Sequence, residues 1–157
     1  MQTKNSDLKF QKLSKSDEIP YELLLLADPS KEIIYEYLKR SEVFIAIQNK
    51  TVVGVIAILP LEKGAVEIKN IAVNPEFQGK GIGTYLIENA IRIATLDQQE
   101  KILIGTANSS IGQLYLYQKL GFEITEIKKD FFIKNYDTPI YENGIQAKHM
   151  LLLTREL

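Results

Sequence analysis

Cysteine is absent from the 157 residues of this chain. That excludes disulfides, thiolate metal sites and any acyl-cysteine intermediate. There is a single histidine, His149, so a Ser-His-Asp triad would have to use it, and metal sites built on histidine pairs are ruled out. An excess of either charge is missing too. With 19 Lys and Arg against 20 Asp and Glu the formal net charge is -1, which exerts no general pull towards nucleic acid or an anionic membrane. Long hydrophobic runs are also lacking. The longest apolar-plus-glycine stretch, Val52 to Leu59, falls far short of the roughly 18–20 residues that span a bilayer. The N-terminal MQTKNSDLKF is polar and lacks the apolar core of a secretion signal. A cytoplasmic protein without nucleic-acid or membrane partners is the expectation.

What is present suits an ordinary globular chain, 45% hydrophobic and 25% charged. Its length fits one domain, residues 1–157, with a substantial core. Leu8 to Leu13 alternates apolar and polar residues, as a half-buried strand does. Tyr21 to Ala27 reads as a short buried helix. A second helix follows, with Asp28 as its cap, Pro29 at its first position and Ile33, Ile34, Tyr37 and Leu38 as its apolar stripe. Val43 to Ile47 and Thr51 to Leu59 read as strands, the latter apolar enough to be covered on both faces.

The fourth strand, Gly64 to Val73, is apolar at even positions (Val66, Ile68) and then at odd ones (Ile71, Val73). Either a β-bulge near Lys69-Asn70 switches the faces, or both faces are buried. A helix with Ile82, Leu86, Ala90 and Ile93 on one face comes next, then a strand from Lys101 to Thr106. Ser109 or Ser110 can cap a helix that runs to Leu120, with Gly121 as its left-handed C-terminal cap. Phe122 to Ile133 reads as a long sixth strand whose Phe131 and Phe132 pack on opposite faces. Ile145 to Leu153 reads as a seventh, after a polar and aromatic loop from Asn135 to Gly144. The order is that of a mixed α/β domain.

Between the fourth strand and its helix lies Gln78-Gly79-Lys80-Gly81-Ile82-Gly83. Glycines there let the backbone approach a ligand, and successive amides at a helix N-terminus can surround a pyrophosphate. A glycine-rich turn made only for chain reversal would look similar. The spacing is not that of a dinucleotide loop, because Thr84 stands where the last glycine of G-x-G-x-x-G belongs. A Walker loop needs a longer interval before its Gly-Lys-Ser/Thr.

Gln78-x-x-Gly81-x-Gly83, after an apolar strand and Asn74-Pro75-Glu76, resembles the acetyl-CoA motif of the GNAT superfamily of N-acetyltransferases. Leu116-Tyr117-Gln118-Lys119-Leu120-Gly121-Phe122 resembles that family's L-Y-x-K-x-G-F element. The resemblance is good from Val43 to Phe132, and holds at the two ends only in the order of elements. It implies a single-domain α/β (α+β) fold: a mixed sheet of about seven strands, helices on both faces, and a splay between the fourth and fifth strands. Acetyl-CoA would be the co-substrate, with no metal. The main chain of Ile71, Ala72 and Val73 would bond the pantetheine arm, and the backbone of Gln78, Gly79, Lys80, Gly81, Ile82, Gly83 and Thr84 the pyrophosphate. Lys80 would either add charge near a phosphate or simply be solvated. Tyr117 matches the tyrosine that protonates the departing thiolate.

Glu67, six residues before Val73, stands where some members place a general base, needed because a protonated amine is no nucleophile. The alternative is a solvated strand carboxylate. Relatives usually carry an asparagine seven residues before the motif tyrosine; here that position is Ser110, with Asn108 two residues earlier. Either could contact the pantetheine. Tyr115 lies about 200° round the helix from Tyr117 and reads as packing or rim. His149, in the apolar parity of its strand, reads as structural.

The resemblance thus implies direct acetyl transfer in a ternary complex to a small-molecule or peptide amine. Glu22, Asp28, Glu32, Asp137 and Glu142, with Tyr136 and Tyr141, would suit a cationic acceptor. With the apolar C-terminal strands it also points to a homodimer. The competing expectation is a non-catalytic acyl-CoA-binding sensor, which would need neither Glu67 nor Tyr117; a nucleotide-binding protein is disfavoured by the glycine spacing.

Overall fold

The computed structural model describes residues 7–157. The first part of the polar N-terminal stretch read above therefore lies outside the described residues. The fold is α/β, with seven strands in one mixed sheet and two more in a separate hairpin. By internal contacts the chain divides into two compact units. One comprises the residues up to Pro60 with Ile68–Ile93, the other Leu61–Glu67 with Ala94–Leu157.

The first unit contains β1 (Leu8–Lys12), α1 (Tyr21–Ala27), α2 (Lys31–Leu38), β2 (Glu42–Gln48), β3 (Thr51–Pro60), the greater part of β4 (Ala65–Val73) and nearly all of α3 (Ile82–Leu96). Its strands lie in the order β1-β2-β3-β4. β2 and β3 are joined by a two-residue turn in which Asn49 and Lys50 both have positive φ, 49° and 65°, the twist that suits a hairpin. Helices cover both faces. On one, Leu24 and Ile34 pack fully buried with Tyr37 on Val43, Ile45, Val55, Ala57 and Ala72. Each such aliphatic side chain contributes about 1.5–3 kcal/mol. On the other, α3 approaches β3 so closely that a Cβ at Gly54 would meet Leu86 Cδ1 at 3.0 Å and Ile82 Cγ2 at 3.3 Å. Of the stripe expected for α3, Ile82, Leu86 and Ala90 are buried and Ile93 is half-buried; Ile87 and Ala94 complete the face.

Two sequence expectations change in this unit. The cap of α2 is Ser30, whose hydroxyl accepts from Ile33 N. Asp28 is the C-cap of α1, and its carboxylate accepts from Ser30 N at 3.0 Å. Pro29 thus lies between the helices rather than at a first helical position. In β4 no parity switch occurs, since burial alternates without a break from Val66 to Val73. The inward series simply contains a polar member, Asn70, 4% exposed. Its amide nitrogen donates to Leu24 O (2.9 Å) and to Tyr37 Oη (2.8 Å), tying β4 to both helices.

The second unit contains the start of β4, then β5 (Lys101–Ala107), α4 (Ile111–Lys119), β6 (Glu123–Lys128), α5 (Phe131–Asn135), β7 (Tyr141–Glu142), β8 (Ile145–Gln146) and β9 (Met150–Glu156). Here β9 pairs antiparallel with β5 on one side and β6 on the other. The long sixth strand is shorter than expected. It stops at Lys128, because Asp130 takes a left-handed φ of 58° and its N–H donates to His149 Nδ1 at 2.9 Å. Phe131 and Phe132 then open a helix with their rings edge to face, 5.2 Å apart, instead of straddling a sheet. The seventh strand begins at Met150, not Ile145. Ile145–Gln146 belongs to the β7–β8 hairpin, turned at Asn143-Gly144 with φ of 55° and 73°.

Candidate active site

In the first unit β4 ends where Asn74 N donates to Val53 O at 2.8 Å. Asn74 Oδ1 then caps the short turn Pro75–Phe77 by accepting from Glu76 N. Gln78 folds back, its side-chain amide donating to Val73 O at 3.2 Å, so the loop and the strand end are held as one piece. Gly79 and Gly81 follow with φ of 76° and 82°, values that a side chain would resist. Gly81 O accepts the first helical bond, from Tyr85 N. The amides of Ile82, Gly83 and Thr84 therefore have no acceptor within α3, and they lie at its positive end. Ile82 is buried against Gly54 while Gly79, Lys80 and Gly81 are exposed, which anchors the loop at one end and opens it at the other. Lys80 Nζ lies 5.3 Å from the Phe77 ring centre. These are the features of an anion site. Ile71 and Val73 are half-buried on one face of β4, opposite the buried Ile68, Asn70 and Ala72; Glu67, also half-buried, belongs to the second unit.

In the second unit α4 carries Tyr117, 4% exposed, while Tyr115 is 67% exposed, a surface residue on the far side of the helix. The ending of α4 explains the L-Y-x-K-x-G-F pattern physically. Gly121, at φ 91°, sends its N–H to Gln118 O, and Phe122 N donates to Tyr117 O, both at 3.0 Å. This is a Schellman cap. Its hydrophobic contact is the Tyr117–Phe122 ring pair, 6.3 Å apart, so the cap fixes the tyrosine. Burial pushes the Tyr117 phenol well above the ordinary tyrosine value, and the Glu142 carboxylate adds to this.

The segment before α4 is fastened to the β7–β8 hairpin. Asn108 Oδ1 accepts from Lys148 N and His149 N, and its Nδ2 donates to Gln146 O. Asn143 Nδ2 donates to Ser109 O, and Ser110 Oγ donates to Glu142 Oε2 at 3.0 Å. The structure therefore brings Ser110, Glu142 and Tyr117 together, and gives the Asn108 side chain to backbone groups of its own unit. His149 accepts at Nδ1 from Asp130 N. Among the described residues no group of three or more His, Cys, Asp or Glu could hold a metal ion, and no helix is long and apolar enough to cross a membrane.

A family model described as an acetyltransferase (GNAT) domain matches residues 39–124. The chain belongs to the GNAT acetyltransferases. An uncharacterized N-acetyltransferase of Bacillus subtilis, YvbK, is 49% identical over 142 residues, 90% of this chain and 91% of that one. A GNAT family acetyltransferase from Elizabethkingia anophelis, crystallised with acetyl-CoA bound, superposes with a TM-score of 0.95 at 48% identity, covering 97% of this chain and 99% of its own. An IAA acetyltransferase from Bacillus cereus gives a TM-score of 0.92 at 43% identity over 96% and 99%. As a GNAT member the protein is an acyltransferase.

Within this GNAT chain the residue that sequence reasoning undervalued is Glu142. It counted only as one acidic group in a loop. The Asn143-Gly144 dipeptide was the available signal, since it is a hairpin turn that sets Tyr141-Glu142 against Ile145-Gln146. That the hairpin delivers Glu142 to Ser110 depends on side-chain bonds far apart in sequence.

Tyr37, whose phenol is likewise raised, chiefly by burial, supplies a pH prediction together with Tyr117. The ordinary value is 10.0 for both. The folded protein holds these protons where the unfolded chain releases them. Stability from this source is complete below about pH 10 and is lost as pH rises beyond it. An ultraviolet phenolate titration should show Tyr37 and Tyr117 ionising only as the melting temperature collapses. Ionisation of both in the folded protein near the ordinary value would contradict the burial.

Proposed function

We propose that residues 1–157 act as one N-acetyltransferase domain that moves an acetyl group from acetyl-CoA directly to an amine in a ternary complex. The observation that carries this is the loop Gln78–Thr84, where two left-handed glycines run into the first turn of α3, whose leading amides have no partner within the helix. Its backbone amides suit a pyrophosphate, and the E. anophelis relative was crystallised with acetyl-CoA. The main chain of Ile71, Ala72 and Val73 binds the pantetheine arm. Ser110 is the better candidate than Asn108 for a side-chain contact to it, since the Asn108 amide already makes three bonds.

Glu67 takes a proton from the acceptor ammonium, directly or through water. The nitrogen attacks the thioester carbonyl, the C–N bond forms, the C–S bond breaks and the nitrogen's surplus proton passes to water. The Val73 amide donates to the carbonyl oxygen as it gains charge, and Tyr117 donates to the departing thiolate. No cysteine is present to carry an acyl intermediate.

The acceptor is a small-molecule or peptide amine. Asp28 no longer counts towards its recognition, being buried and committed to Ser30. Glu22, Glu32, Asp137 and Tyr141 are exposed and remain. Thermal shift with acetyl-CoA, CoA, ATP and NAD tests the ligand class, because a ligand that binds only the folded state raises the melting temperature. A rise with acetyl-CoA and CoA alone is expected. No rise with either would defeat the proposal. An acceptor panel should include IAA, named for the B. cereus relative.

A further inference from the structure

The last strand of the sheet order is β6, Glu123–Lys128, which pairs on one side with β9. All six of its residues, E-I-T-E-I-K, are exposed, with Ile124 at 46% and Ile127 at 62%. An edge strand offers a row of amides and carbonyls to any second strand, and proteins usually blunt it with charge or a bulge. Here both devices are present, and both favour one particular partner.

The bulge comes first. The register on β9 shifts between Ile124 and Glu126: Ile124 faces Leu153, Glu126 faces Leu152, Ile127 faces Leu151 and Lys128 faces Met150. Thr125 is the extra residue, its hydroxyl bonded with Leu152 O and Thr154 Oγ1. In a regular strand residues three apart point to opposite faces. The bulge instead sets Ile124 and Ile127 on the same face, that of Leu151 and Leu153. It sets Glu123, Glu126 and Lys128 together on the other face, that of Met150, Leu152 and Thr154.

The two ends of the strand then become complementary in charge, with Glu126 left opposite Thr125. Two copies of β6 related by a two-fold axis through the sheet would run antiparallel, with each residue opposite one on the same face. Glu123 of each copy meets Lys128 of the other, and Ile124 of each meets Ile127 of the other. Without the bulge the same alignment would set every residue against one on the wrong face.

We propose that β6 is a dimer seam, pairing antiparallel with β6 of a second copy of this chain so that the sheet continues across the two-fold axis. The Glu123–Lys128 pairs fix the register and the isoleucines form the apolar line beside it.

The test is molar mass in solution by light scattering or sedimentation. Wild type should have twice the chain's 17.9 kDa. Glu123→Lys and Lys128→Glu each place two like-charged pairs across the seam and should give monomers. The double variant Glu123→Lys/Lys128→Glu restores opposite charges and should return the dimer. The positions are exposed, and circular dichroism of every variant checks that the fold persists. A wild type that stays monomeric at high concentration overturns the proposal, as does a dimer indifferent to both single changes, which would place the contact elsewhere. Loss in the singles without return in the double overturns the register.

Discussion

Tyr117→Phe lowers the turnover of acetyl transfer by about 10²- to 10³-fold, the usual cost of losing a donor to developing charge, while acetyl-CoA binds nearly as well as before. The substitution removes one oxygen. The ring keeps its place against Phe122, and the cap formed by Gly121 N–H and Phe122 N–H is main chain, so α4 ends as it did. Burial raises the Tyr117 phenol, above a thiol's ordinary value of about 8.5. Complete proton transfer to the thiolate is then uphill, and what the phenol supplies is a hydrogen bond that strengthens as charge grows on sulfur. Single-turnover kinetics, with Kd measured separately by titration, check this. Equal turnover in the two proteins removes Tyr117 from the mechanism; an equal loss of affinity and turnover makes it a binding residue.

Gly81→Val weakens acetyl-CoA binding by about 10- to 100-fold. At φ 82° a side chain costs about 1–2 kcal/mol, more when β-branched, and each 1.4 kcal/mol is tenfold in affinity. The loop escapes this strain only by turning its peptide planes away from the arrangement that aims the amides. Ile82 stays anchored against Gly54, so the damage is confined to the loop. The readout is the thermal shift with CoA, lost or much reduced while the unliganded melting temperature changes little. An unaltered shift would mean that the pyrophosphate is held elsewhere.

Much of this was legible in the chain. Strands and helices with strong periodicity, such as Thr51–Pro60 and Ile82–Leu96, were legible because burial on both faces or on one stripe leaves a pattern in sequence. The two motifs were legible because Gly79, Gly81 and Gly121 are demanded by left-handed backbone angles, which no other residue meets as cheaply. Asn70 was not, for a polar residue in a buried series reads as a change of face unless its partners, Leu24 O and Tyr37 Oη, are known. The end of β6 was equally hidden. The local signal in Lys128-Lys129-Asp130 is weak: Asp130 turns left-handed, and its N–H is held there by His149, 19 residues away. For the same reason Asn108 looked available to a ligand. Its carboxamide is spent on the Gln146–His149 segment, a bond set that depends on tertiary structure alone.

The mechanism stands or falls on direct transfer from acetyl-CoA to an amine. The most direct test is a thiol-release assay across polyamines, aminoglycosides and peptides, with mass spectrometry of the acceptor and of the protein in the same tubes. Direct transfer yields CoA and N-acetylated acceptor in equal amounts, formed only when both substrates are present, with no acetyl adduct on the protein. An acetylated protein that passes its group to acceptor after acetyl-CoA is removed would contradict it, and CoA binding with no product from any amine would make the chain a sensor.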